Sequence, residues 1–193
     1  MSYNAFAEFY DGLTGNVEYK DRAEYIEKLI KSFGREAGTT LDLACGTGSL
    51  TLELYRRGFD IFGVDASIDM LSEAQQKCSE DEQILFICQK MQRLNLASEI
   101  DTCICTLDSI NHLTNPKDVK ETFKRVAKYL SKEGLFIFDV NTLYKHREVL
   151  CDNCFVFDTD EVFCSWQNEL DKETDIVNIT LDFFIPDENG LYF

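Results

Sequence analysis

The chain has 193 residues, 45% of them apolar, which suits one ordinary globular domain whose core needs no covalent staples. Acidic side chains number 35 against 19 basic ones, leaving a formal charge of −16, so a phosphodiester backbone is repelled unless a local basic stripe offsets that field. The densest basic stretches, Lys117 to Lys132 and Arg56-Arg57, interleave with acids or apolar residues as solvated helix faces do, and nucleic acid is disfavoured as a partner.

The N-terminal stretch lacks the basic and apolar regions of a secretory leader, and no run approaches 18 apolar residues. The expectation is a cytoplasmic protein that does not engage a membrane. Cys88, Cys103 and Cys105 lie in strand-like apolar runs, where reduced thiols behave as small buried hydrophobes. Cys151-x-x-Cys154, with Cys164 and His146 nearby, is half of a zinc pattern without its second tight pair, so no metal is expected.

In chain order, Ala23, Ile26, Leu29, Ile30 and Phe33 fall at helical spacing within a helix from Val17 to Phe33, ended by Gly34. A short apolar run over 40–44 follows, then a helix over 49–57 stopped by Gly58, a second run over 60–64, and a helix capped by Ser67 with Met70, Leu71 and Ala74 on one face. The alternation continues through strand-like runs at 84–88, 101–106 and 134–140, with a helix opened by Asn115-Pro116 between the last two. Five near-continuous apolar strands separated by helical stretches predict an α/β fold, a doubly wound, mostly parallel sheet with helices on both faces. After Thr142 the pattern turns to alternation, at Phe155 to Phe163 and Ile176 to Ile185, which predicts an appended antiparallel β segment. With no repeat or linker in view, the expected organisation is a single domain: a helical lid over 1–36, a core over 37–142 and the β segment over 143–193.

The stretch Leu41-Asp-Leu-Ala-Cys-Gly-Thr-Gly-Ser-Leu-Thr51 reads as a strand flowing through a glycine turn into a helix. Gly46 and Gly48 remove Cβ atoms beside a helix N-terminus, letting a ligand approach the backbone. Asp65, which ends the second strand 19 positions after Gly46, is placed to accept hydrogen bonds from ribose hydroxyls. Nicotinamide dinucleotides and S-adenosylmethionine both use this geometry. A dinucleotide fingerprint counted from Gly46 wants a small residue at position 51, and the branched Thr51 favours the second ligand.

Asp42-Leu-Ala-Cys-Gly-Thr-Gly48 followed by Gly63-Val-Asp65-Ala-Ser67 resembles the first two motifs of class I S-adenosylmethionine-dependent methyltransferases. Phe86-Ile-Cys-Gln-Lys-Met-Gln-Arg-Leu94 is similar to the third motif, Leu107-Asp-Ser-Ile-Asn-His-Leu113 to the fourth, and the stretch from Leu130 to Val140 to the fifth-strand region. The opening Phe6-Ala-Glu-Phe-Tyr-Asp11 is similar to the start of small-molecule and uncharacterised bacterial members.

The resemblance implies that the backbone of Ala44, Cys45 and Gly46 meets the methionine part of the cofactor, that Asp65 holds the ribose, and that Ala66 and Met70 flank the adenine. Met91 would offer its backbone to the base, while Leu107 and Asp108 would line the methionine end. Two departures stand out: Ala44 occupies a place where many members carry glycine, and Lys90 one where many carry an acid for the adenine amino group, leaving Gln89 or backbone groups for that task. Among the aromatics Tyr3, Phe6, Phe9, Tyr10 and Tyr19, the candidates for cofactor contact under the lid are Tyr10 and Tyr19. Asp108 and His112 are the catalytic candidates, with Asn111 and Asp139 as further helpers at strand ends.

The implied activity is methyl transfer to the nitrogen or oxygen of a small molecule, leaving S-adenosylhomocysteine. The alternatives are a noncatalytic cofactor-binding module and, more remotely, a nicotinamide oxidoreductase. The β segment with Trp166 is expected to shape the acceptor pocket. The family's domain normally adds a further helix and hairpin, so a chain ending at Phe193 reads as shortened, with an exposed sheet edge suited to a homodimer.

Overall fold

A computed structural model describes residues 3–159 and 161–186, with side chains from Phe6 onward. The contacts divide into two compact units, Met1–Val140 and Asn141–Phe193.

The first unit opens with two helices, α1 (Tyr3–Leu13) and α2 (Tyr19–Ser32). Helix α2 buries Ala23, Ile26 and Ile30 against Leu50, Leu54, Ile61 and Ile104. Phe33, expected on the same face, is instead 61% exposed. The helix has ended at Ser32, and the chain turns there into Gly34 at φ 68°. The helical spacing that would have carried Phe33 inward no longer applies.

The remaining elements alternate: β1 (Thr39–Leu43), α3 (Ser49–Arg56), β2 (Asp60–Asp65), α4 (Ile68–Lys77), β3 (Phe86–Cys88), β4 (Ile100–Cys105), α5 (Pro116–Tyr129) and β5 (Leu130–Phe138). The strands pair in parallel in the order β3-β2-β1-β4-β5. Capping follows the side-chain chemistry, since the Ser67 hydroxyl accepts from the Met70 N–H and the Asn115 carboxamide oxygen from Lys117. The run expected at 84–88 keeps only three strand residues, Phe86–Cys88, at the sheet edge beside β2.

Strands β1 and β4 are buried through both faces, with Leu41, Leu43, Cys103 and Cys105 in one core cluster and Ile104 in the other. The chain order reverses between them, and a doubly wound sheet opens its ligand crevice at the carboxyl ends of such a strand pair.

The second unit contains a π-helical turn (Lys145–Leu150) and an antiparallel sheet of β6 (Cys154–Asp158), β7 (Phe163–Asp171) and β8 (Ile176–Phe184) in that order. Trp166 stands between Phe155 and Leu181 in register and donates its indole N–H to Asn168 at 2.7 Å. No helix among the described residues is long and apolar enough to cross a membrane.

Candidate cofactor-binding and catalytic site

Leaving β1, the chain takes Ala44 to φ 62°, Gly46 to 54° and Gly48 to 71° before α3 begins. The N–H groups of Ala44 and Cys45 both donate to the Val64 carbonyl, at 2.7 and 3.1 Å, which ties the turn to β2. Two glycines serve different ends here. A Cβ on Gly48 would come within 2.8 Å of the Ala74 Cβ and 3.1 Å of the Phe86 ring, so close packing of α3, α4 and β3 requires a bare residue. Around Gly46 nothing lies within 4 Å of where a Cβ would stand, so its backbone is open to a ligand. Ala44 carries its left-handed backbone at a cost of about 1 kcal/mol, which explains the advantage of glycine at that position.

Asp65 closes β2 against this turn. One carboxylate oxygen accepts the Gly46 N–H at 2.9 Å and the other accepts the Ser67 N–H at 2.8 Å. A carboxylate has about four lone-pair directions, so two remain for hydroxyl donors. Beneath the turn, the Thr51 hydroxyl donates to the buried Asp42 at 2.6 Å. That bond gives a physical reason for threonine where a dinucleotide fingerprint wants a small residue. Burial pushes the Asp42 carboxyl up to about 6 against the opposing effect of Thr51, and burial likewise lifts the Cys45 thiol.

On the adenine side, Met70 is buried and Ala66 exposed. The Gln89 carboxamide bonds the Asn95 backbone both ways, at 2.8 and 3.1 Å, and its own N–H goes to the Asp65 carbonyl. The Gln89 side chain therefore orders the loop ahead of it. Met91 begins a 3-10 turn, and Lys90 points to solvent.

The end of β4 carries the other half of the site. Leu107 and Asp108 take φ of 60° and 63° in succession and lead into a 3-10 turn, Ser109–His112, whose His112 and Asn111 are exposed. Asp139, just past β5, accepts from the N–H groups of Leu107 and Asp108 and from Arg22 of α2 at 3.3 Å, so this candidate proton acceptor is already engaged.

Helix α1 covers the turn through Tyr10 and Asp11. The Thr47 hydroxyl donates to Asp11 at 2.7 Å and the Ser49 hydroxyl at 3.2 Å, while Lys77 forms an ion pair with Asp11 and a 2.8 Å bond to Ser49. Burial, then the neighbouring Tyr19, Asp11, Asp65 and Asp108, push the Tyr10 phenol up to about 12, so it stays protonated as an O–H donor. Tyr10 also packs edge-on against Phe6, and the Tyr19 hydroxyl lies 3.5 Å from Thr14. The Tyr3 side chain is outside the described residues. Neither Asp11 nor Arg22 was a sequence candidate. Asp11 had only its place beside Tyr10 to mark it, and Arg22 meets its partner 117 positions away.

Cys154 and Cys164, weighed as metal ligands, lie on opposite faces of their strand pair, Cys164 buried opposite Phe157 and Cys154 exposed. Among the described residues no three His, Cys, Asp or Glu side chains are grouped to hold a metal ion. His146 spends Nε2 on the Asp175 carbonyl at 2.8 Å.

Fold and turn together define a doubly wound α/β protein whose ligand crevice opens at the switch between β1 and β4. A methyltransferase-domain family model matches residues 40–134. The "Putative methyltransferase YqeM" of Bacillus subtilis is 36% identical over 186 residues, 96% of this chain and 74% of that protein. A solved S-adenosylmethionine-dependent methyltransferase from Clostridium acetobutylicum superposes with a TM-score of 0.85 at 37% identity, covering 99% of this chain and 77% of that one. A glycine/sarcosine N-methyltransferase from Aphanothece halophytica is 30% identical over 138 residues, 69% of this chain and 51% of that protein. The chain belongs to the class I S-adenosylmethionine-dependent methyltransferases. Its cofactor is S-adenosylmethionine, and the open backbone at Gly46 with the two remaining acceptor directions on Asp65 fits that group.

Proposed function

We propose that this methyltransferase acts on a nitrogen or oxygen of a small, neutral or cationic molecule. The observation that carries the reading is the row of carboxylates at one end of the sheet, Asp65 ending β2 and Asp108 and Asp139 following β4 and β5, within a chain of charge −16. An anionic acceptor would meet repulsion there. The A. halophytica relative, named for glycine and sarcosine N-methylation, supports an amine-bearing acceptor of this size.

S-adenosylmethionine supplies an electrophilic methyl group on a sulfonium. Asp65 takes the ribose hydroxyls, the backbone of Ala44, Cys45 and Gly46 meets the methionine part, and Ala66 and Met70 flank the adenine. Met91 offers backbone to the base while Gln89 holds the adjoining loop. Leu107 and Asp108 line the methionine end. Tyr10 and Tyr19 cover the site from above and exclude water. In-line displacement from a sulfonium discharges the cation, so alignment and dryness contribute more than a strong acid or base. An amine or hydroxyl acceptor still has to lose a proton, and Asp108 and His112 remain the candidates to take it.

Isothermal titration with S-adenosylmethionine and S-adenosylhomocysteine tests the cofactor site, with Asp65→Ala expected to weaken both at least about tenfold, as loss of charged hydrogen bonds implies. Incubation of the chain and labelled cofactor with separate pools of small amines, small hydroxyl compounds, protein and RNA then reads the acceptor. Label entering only macromolecules would overturn the small-molecule reading, and unchanged affinity in Asp65→Ala would overturn the site.

A further inference from the structure

We propose that Asp139 is a positioning residue, which holds the left-handed pair Leu107 and Asp108 from the neighbouring strand and so aims the Asp108 carboxylate at the cofactor's charged methionine end. Two successive non-glycine residues at φ 60° and 63° are costly unless something outside the turn maintains them. Their N–H groups converge into a concavity that suits an anion, and that anion is the Asp139 carboxylate. One of its oxygens accepts from Leu107 at 3.0 Å and the other from Asp108 at 2.9 Å.

The same residue is fixed at both ends. Its own N–H donates to the Cys105 carbonyl at 3.3 Å, clipping the end of β5 to the end of β4, and Arg22 balances its charge. Downstream, the Asn111 N–H bonds the Asp108 carbonyl at 2.8 Å and the Ser109 hydroxyl bonds the Thr106 carbonyl at 2.7 Å. The turn is thus closed on its far side, while its near side depends on a residue 31 positions later in the chain. Asp108 follows β4, one of the two strands between which the chain order reverses and the ligand crevice opens. The inference rests on the reading that Asp108 lines the methionine end. S-adenosylmethionine bears one more positive charge than S-adenosylhomocysteine, so a misplaced Asp108 costs the first ligand more than the second.

The test uses the 15N-labelled chain and its Asp139→Ala, Asp139→Asn, Asp108→Asn and Asp139→Ala/Asp108→Asn variants. Amide spectra report the Leu107 and Asp108 N–H groups, and titrations give both ligand affinities. Asp139→Ala is expected to shift both amides and to weaken S-adenosylmethionine about tenfold, with a smaller loss for S-adenosylhomocysteine. Asp139→Asn, which keeps one acceptor oxygen, should retain one amide shift, and it serves in place of the alanine variant if that one does not fold. The double variant should lose no more discrimination between the ligands than Asp108→Asn alone. Unchanged amides, or an equal loss for both ligands, would overturn the positioning role. If Asp108→Asn itself leaves the discrimination intact, the placement of Asp108 is what fails, and the amide spectra then decide alone whether Asp139 holds the turn.

Discussion

The Thr51 hydroxyl donates to the Asp42 carboxylate at 2.6 Å beneath the glycine turn, where Asp42 is 3% exposed and Thr51 fully buried. Because the folded protein holds the Asp42 proton up to about 6 while an ordinary aspartate releases it near 3.8, the folded state binds that proton more tightly than the unfolded chain. Stability from this group therefore rises as pH falls from about 6 toward 3.8, and above 6 the cost of the buried charge is fully present. At about 1.4 kcal/mol per tenfold of proton affinity, that cost is about 3 kcal/mol. Asp42→Asn should flatten the pH dependence of Tm between pH 4 and 7 relative to wild type, and Thr51→Val should move the window upward. Identical slopes for wild type and Asp42→Asn in denaturation from pH 4 to 8 would refute this.

Asp11 joins α1 to the glycine turn through Thr47, Ser49 and Lys77, yet the ion pair is partly exposed, Asp11 at 41% and Lys77 at 25%. Such a contact contributes modestly, and α1 keeps its apolar anchors Ala7, Phe9 and Leu13. Asp11→Ala is therefore expected to lower global stability by no more than about 1 kcal/mol. Hydrogen exchange should accelerate within residues 3–13 while β1 and β4 stay protected. Acceleration spread evenly over the first unit would argue against a local latch.

The features legible in the sequence were those that depend on neighbours within a few positions. The β1-turn-α3 passage, the Ser67 and Asn115 caps and the buried face Met70, Leu71 and Ala74 each follow from local spacing. So does the pairing of Gly46 with Asp65, because two adjacent parallel strands bring their carboxyl ends together. The antiparallel β segment also announced itself by its period-two alternation. Contacts closing over long separations were not legible. Asp139 was legible as a strand-end acid, but its bonds to Arg22, Leu107 and Asp108 were not, and Gln89 gave no sign that its carboxamide would serve Asn95.

Tyr10 keeps its proton because burial and the surrounding acids raise it to about 12. Its hydroxyl can therefore donate to a ligand acceptor throughout the physiological range. Tyr10→Phe should preserve the packing against Phe6 and leave Tm nearly unchanged, while weakening S-adenosylmethionine several-fold, about the value of one net hydrogen bond. Calorimetric titration of the variant checks this, and an affinity equal to wild type would assign Tyr10 a packing role alone.

Gly46 and Gly48 share a left-handed backbone, at φ 54° and 71°, but differ in what surrounds them, so alanine at the two positions should separate cofactor binding from folding. At position 48 the added methyl meets the Ala74 Cβ at 2.8 Å and the Phe86 ring at 3.1 Å, and neither α4 nor β3 can retreat without opening the core. Gly48→Ala combines that overlap with backbone strain and should cost roughly 3 kcal/mol. At position 46 the methyl meets nothing within 4 Å, so only the backbone term applies, about 1 kcal/mol. That methyl would nonetheless stand in the open space over the turn, where the ligand is expected to approach. Thermal denaturation should then rank Gly48→Ala well below Gly46→Ala, while titration with S-adenosylhomocysteine should show a loss for Gly46→Ala out of proportion to its small change in Tm. The same small loss of stability with full affinity at position 46 would mean that the cofactor does not pass over this backbone.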